Sequence, residues 1–238
     1  MIIEPGYIAT CLAYLEANPD VAGVAGRVRE MNVANAEFQI RAAKLAERDD
    51  YQPGLVDRLD GGGLYRSAAI RDVGYFADRN LHAFEEFDLA ARLRSRGWKL
   101  ARIDEPAVQH FGYTMEGYRL LLRRIASGYT SGTGEVLRAA WGKPHFGRIM
   151  RLGHIAKGAL VIGWWLVLAA LLVFRAPPLI TLAYFAAPFL WFWWRRRRLE
   201  LVPYSFAVWN STALGLITGF FRKRVPPETP LASVDLHG

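Results

Sequence analysis

The chain has 238 residues, 52% of them hydrophobic, and a formal net charge of +8, enough for one buried core and further apolar structure. Residues 1–114 hold 14 Lys+Arg against 17 Asp+Glu, while residues 115–238 hold 16 against 5. The basic half is also the half with long Trp-rich apolar runs, which points to an anionic membrane lipid surface as partner and argues against nucleic acid; a single cysteine, Cys11, excludes an intrachain disulfide and a Cys-based metal site.

Met1 to Gly6 has neither a basic n-region nor a long apolar stretch, so no signal peptide is expected and the first half should stay on the side where it is made. Pro5 suits a first helical turn, Ile8, Leu12 and Leu15 recur at helical spacing, and Asn18-Pro19 stops the run. Val21 to Val28 predicts a short buried strand, Ala34 to Arg48 a helix, and Asp49 to Leu59 a loop. Leu64-Tyr65 predicts a strand end, and Ser67 an N-cap for a short helix through Val73. Glu85 to Arg96 predicts a helix with acids in its first turn, Leu89 and Leu93 on one face and Gly97 as its cap. Trp98 to Ile103 and Ala107 to Phe111 predict two further strands. This alternation is that of an α/β layered domain over residues 1–114.

Residues 115–157 predict a basic interfacial helical linker: from Tyr118 to Leu152, Arg119, Arg123, Arg124, Arg138, Lys143, Arg148 and Arg151 alternate with apolar anchors. Two uncharged runs follow, Gly158–Phe174 and Ala176–Trp194, parted by Arg175 beside Pro177-Pro178. Each approaches the roughly 20 residues of a spanning helix, which predicts a membrane hairpin turning at Arg175–Pro178. Lys157 and earlier cations precede it and Arg195 to Arg198 follow it, so the positive-inside rule places both flanks in the cytoplasm of a multi-pass inner (plasma) membrane protein. Leu201–Phe221 is a third apolar run, interfacial or spanning, that contains Asn210, Ser211, Thr212 and Thr218. Residues 222–238 predict a disordered tail.

Candidate chemistry lies between Asp60 and His110. In order come Gly61-Gly62-Gly63-Leu64-Tyr65-Arg66, Val73-Gly74-Tyr75-Phe76, Glu85-Glu86-Phe87-Asp88-Leu89, Arg92, Gly97 and Val108-Gln109-His110. Singly, each has a plain reading as a turn, a helix start or a core histidine. Together and in this order they resemble the family-2 glycosyltransferases of the GT-A fold.

The resemblance implies a truncated GT-A-type, Rossmann-like layered domain followed by an all-α membrane hairpin. It implies an inverting, metal-assisted transfer of a sugar from a nucleotide-sugar donor to a lipid-linked or cell-envelope polysaccharide acceptor. Glu86 would be the general base, with Glu85 and Asp88 in the same acidic motif; Glu86 stands where the family usually has Asp. Gly61, Gly62, Gly63 and Arg66, with Arg124 downstream, would contact substrate. His110 would help hold a divalent metal, Mg or Mn, which offsets charge on the departing diphosphate. The family's nucleotide-binding half with its Asp-x-Asp metal motif has no counterpart here, and the main metal aspartates are expected to be missing. The rival expectation is a non-catalytic, membrane-anchored remnant or accessory protein that binds lipid or partner chains.

Overall fold

The computed structural model describes residues 2–31, 52–111 and 115–230; the helix expected at Ala34–Arg48 lies outside them. The chain forms two compact units, one of residues 1–81, 85–113 and 223–238 and one of residues 82–84 and 114–222.

The first unit is a mixed α/β structure. Its strands are β1 (Ile2–Ile3), β2 (Val21–Glu30), β3 (Gly54–Val56), β4 (Leu64–Tyr65) and β5 (Lys99–His110). Its helices are α1 (Tyr7–Ala17), α2 (Ser67–Asp72) and α3 (Glu85–Ser95). β2 and β5 run parallel through the middle, β4 pairs antiparallel with β2, and β1 and β3 pair antiparallel with β5. A register shift between Val21 and Gly23 reverses the facing of β2 there. Consequently Val21 and Val24 pack with Tyr7, Cys11 and Leu15 of α1 on one face, while Ala22 and Ala25 pack with Leu89, Ala90 and Leu93 of α3 on the other. The sheet is thus covered on both faces, as parallel strands require.

Five details differ from the sequence reading. The buried stripe of α1 is Tyr7, Cys11 and Leu15, and Ile8 and Leu12 are exposed, because the Tyr7 hydroxyl finds two buried partners. The two strands expected at 98–111 are one strand that continues through Pro106 at a register shift opposite Arg27. Part of the expected loop is β3, which takes up the edge of β5. Ser67 is the first residue of α2, whose N-cap is Arg66. Residues 222–230, expected in a tail, are tied to the 78–80 turn: Arg224 bonds Asp78 at 2.9 Å and the Val225 N–H bonds Asn80 at 2.8 Å. Burial opposes ionisation of Asp78, but the Asn80 and Arg224 hydrogen bonds outweigh it and hold the carboxyl below its usual range.

The second unit is helical: α4 (Gly117–Ala126), a 3-10 turn (Tyr129–Ser131), α5 (Gly132–Ala140), α6 (Phe146–Ile149), α7 (Gly153–Val173), α8 (Pro178–Arg196) and α9 (Leu201–Phe221). The expected linker is not uniformly interfacial, since α5 is almost entirely buried. It meets α9 at backbone contact: a Cβ on Gly134 would lie 2.2 Å from Leu216 O, and one on Gly219 would lie 2.0 Å from Ser131 O. Only small residues allow such an approach. The buried Glu135 carboxylate accepts from Arg222 at 2.7 Å and from the His82 backbone N–H at 2.9 Å.

α7 and α8 meet across the turn at Arg175, whose φ is 51°. Pro188 has no N–H for the Tyr184 carbonyl four residues earlier, and the Trp164 indole of α7 donates to that carbonyl at 3.3 Å. The neighbouring Trp165 donates to Asn210 of α9 at 2.7 Å. Asn210, Ser211, Thr212 and Thr218 each donate to a carbonyl of their own helix, so the polar residues of α9 are internally satisfied. Among the described residues only α7, with a mean hydropathy of 2.1, is long and apolar enough to cross a membrane by length and composition.

Candidate active site at the glycine turn

Asp60-Gly61-Gly62-Gly63 leads into β4, and Gly61 and Gly62 take φ of 73° and 69°. Two successive left-handed residues are accessible at low cost only to glycine. The three glycines have different surroundings. A Cβ on Gly62 would lie 3.1 Å from Val108 Cγ1, and one on Gly63 would lie 2.8 Å from the Tyr65 ring. A Cβ on Gly61 would meet nothing within 4 Å. Gly61 therefore presents the open face of the turn, while Gly62 and Gly63 are packing positions. Tyr7 fixes the turn to the sheet, because its hydroxyl donates to Gly62 O at 2.7 Å and accepts the Gly26 N–H at 2.9 Å. Burial opposes ionisation of this phenol and raises its pKa.

Glu86 faces the same open position. Its carboxylate accepts the Gly61 N–H at 2.9 Å, so the glycine turn orients the acid of α3. Partial burial pushes the Glu86 carboxyl above the usual carboxylate range; the Gly61 hydrogen bond opposes this, and the Asp60 and Glu85 carboxylates add to it. The side chain as a whole remains exposed, while its carboxylate end is crowded by protein. A carboxylate with raised proton affinity, fixed by one backbone bond and open to solvent, is fit to accept a proton. Glu85 is exposed beside it. α3 is entered through Phe84, a bulky residue at φ 70°, a conformation that the surrounding structure must hold in place.

The other expected residues have different work. Asp88 is buried and pairs with Arg92 at 2.7 Å. Arg92 also donates to Val73 O, Tyr75 O and Phe76 O and lies 3.9 Å from the centre of the Tyr75 ring. Asp88, Arg92 and the Val73–Phe76 step thus form one structural staple, and Phe76 completes it by packing edge-on against Tyr65. Arg66 donates to the carbonyls of Leu15, Asn18 and Val21 and so caps the end of α1; its guanidinium serves the fold there. Arg124 belongs to the second unit, on α4, with its guanidinium 5.5 Å from the centre of the Tyr129 ring.

His110 ends β5, opposite Glu30, and its carbonyl accepts the Met31 N–H at 2.8 Å. Among the described residues, no three His, Cys, Asp or Glu side chains converge as a metal-ligating group. Two residues that the sequence reading passed over belong to the site: Asp60, which adds negative potential at Glu86, and Arg58, which pairs with Asp60 at 3.0 Å and lies over the Phe87 ring. Adjacency to the glycines was the available signal for both.

Comparison of the chain with protein-family models and with curated proteins finds no match.

Proposed function

We propose that this chain contributes the acceptor-side portion of an inverting glycosyltransferase of the family-2, GT-A type. It acts at the cytoplasmic face of the inner membrane, held there by the helices of its second unit as a multi-pass anchor. The reaction moves a sugar from a nucleotide-sugar donor to a lipid-linked or envelope polysaccharide acceptor. One observation carries the reading: the glycine turn and the acidic helix start meet at Glu86, a carboxylate of raised proton affinity held by the N–H of Gly61, the glycine of the turn with an open face. In this reading Glu86 takes the proton from the acceptor hydroxyl as its oxygen attacks the anomeric carbon, and the donor's diphosphate departs. Glu85 and Asp60 keep the local potential negative and so favour protonation of Glu86. Asp88 and Arg92 act on the site only by holding the Val73–Phe76 step. A divalent cation on the diphosphate belongs to the same reading, with ligands beyond the described cluster.

The test is sugar transfer into membrane lipid by the protein purified from its native locus, with the chain ends that the cell makes. Glu86→Gln should lower turnover by about 10²–10⁴-fold with donor KM little changed and a melting temperature no lower than the parent's. Full turnover in a folded Glu86→Gln protein would overturn the assignment. Absence of transfer by the parent across nucleotide sugars would favour the rival, an anchored accessory protein.

A further inference from the structure

α7, α8 and α9 line an open cavity of about 660 Å³, within the size range of small-molecule sites. Its wall is apolar and aromatic, with Trp164, Tyr184, Pro188, Trp191 and Phe206 among the lining residues. Gly163 also lines it, and a Cβ there would meet nothing within 4 Å. A glycine in the middle of an apolar helix costs about 1 kcal/mol relative to alanine, and α9, which packs closely against α7 at Gly158, does not do so at Gly163. Its effect is to leave the cavity open where any side chain would enter it.

One wall of the cavity continues into positive charge. Arg195 lies over the ring of Trp191, a lining residue, at 5.5 Å, and Arg197 lies over Trp194 at 6.0 Å. Within the four-arginine run, Arg196 bonds Ser205 and Arg198 pairs with Glu200, whereas exposed Arg195 and Arg197 are placed by aromatic faces. An apolar slot with guanidinium forks at its end is complementary to a hydrocarbon chain carrying a phosphate.

We propose that this slot holds one acyl chain of an anionic bilayer phospholipid, with its phosphate met by Arg195 and Arg197. The inference rests on the membrane anchoring proposed above. The full chain would be reconstituted into vesicles of equal phosphatidylglycerol and phosphatidylcholine, then extracted in mild detergent, and its retained lipid identified by native mass spectrometry. The expected result is one retained phosphatidylglycerol per chain. Gly163→Leu should lose it while melting no lower than the parent. Arg195→Gln and Arg197→Gln should each lower the preference over phosphatidylcholine by about fivefold. A measurement without variants uses the lining tryptophans: brominated phosphatidylglycerol should quench their fluorescence more than brominated phosphatidylcholine.

Equal retention of both lipids, equal quenching, or unchanged retention in well-folded Gly163→Leu would overturn the slot alone. Displacement of phosphatidylglycerol by an equimolar polyprenyl phosphate would reassign the slot to an acceptor lipid and also overturn it. Failure of the chain to enter vesicles would overturn both the slot and the anchoring.

Discussion

In the sheet unit, Gly61 and Gly62 are required by their backbone angles; in the helical unit, Gly134, Gly215 and Gly219 are required by the absence of a side chain. A Cβ at Gly61 would find open space but an unfavourable φ, whereas at Gly219 it would meet Ser131 O at 2.0 Å. One ion pair from each unit shows a similar contrast. Asp88 and its partner Arg92 are both buried, while Glu135 is buried against an Arg222 that is 43% exposed. The glycine turn and the closed Asp88–Arg92 pair are features of the first unit, which also has a close backbone approach at Gly26, while close backbone approach dominates where α5 meets α9 in the second.

The hardest test of that contrast is Arg92→Met. It strands Asp88 in the core and frees three carbonyls of the Val73–Phe76 step, so unfolding free energy should fall by about 3–5 kcal/mol in denaturant titration. The matching Arg222→Met leaves Glu135 its His82 bonds, and the exposed arginine contributes less to begin with. Its cost should be about 1–2 kcal/mol, and equal costs for the two would erase the distinction.

Gly219→Ala comes next. The added methyl has to push α9 off the 129–135 segment, at a cost of about 3 kcal/mol, the upper end for overpacking, read from thermal melting in detergent. Gly61→Ala should cost only about 1 kcal/mol, the left-handed penalty, and Gly61→Asn should recover part of it because asparagine tolerates that region. Equal costs for Ala and Asn at Gly61 would mean that space, not angle, is limiting there.

The smallest expected effect is on the pH dependence of melting. The folded pKa of Glu86 lies above its unfolded value, so the native state binds the proton more tightly and loses stability as pH rises through the folded pKa. Glu86→Gln removes that loss, so the variant should melt higher than its parent at pH 7.5. The difference should vanish near pH 4, about the unfolded pKa.

What the sequence shows and what it hides follow from how local each signal is. β2, the acids of α3 and its Gly97 cap, and the turn at Arg175 were legible because spacing and punctuation lie within one element. β3 was not, since three residues with no alternation become a strand only through pairing with β5. The continuity of β5 was hidden because Asp104-Glu105-Pro106 has turn composition, and only the register shift opposite Arg27 keeps it extended. At the site, the ordered motifs led to Glu86 and the glycines, but sequence order cannot separate an acid facing an open turn from one locked to an arginine. Arg66 could be recognised as structural only once its carbonyl partners, distant in the chain, were seen, whereas Asp88 and Arg92 are one helical turn apart and only their shared burial was hidden.

The bond from Trp164 to the Tyr184 carbonyl has a consequence for how the chain would enter a bilayer. Hydrocarbon offers no water to a carbonyl left without its helical partner, and such a group costs several kcal/mol there. α8 carries that debt wherever it goes, because Pro188 is part of its own sequence. α7 relieves it with the indole N–H of Trp164, beside Gly163 near the middle of that helix. The two helices are therefore unequal as cargo for an insertion machine. If the anchoring proposed above holds, α7 would partition on its own apolarity and α8 would be best delivered already paired, with the hairpin, and not the single helix, as the unit of membrane entry.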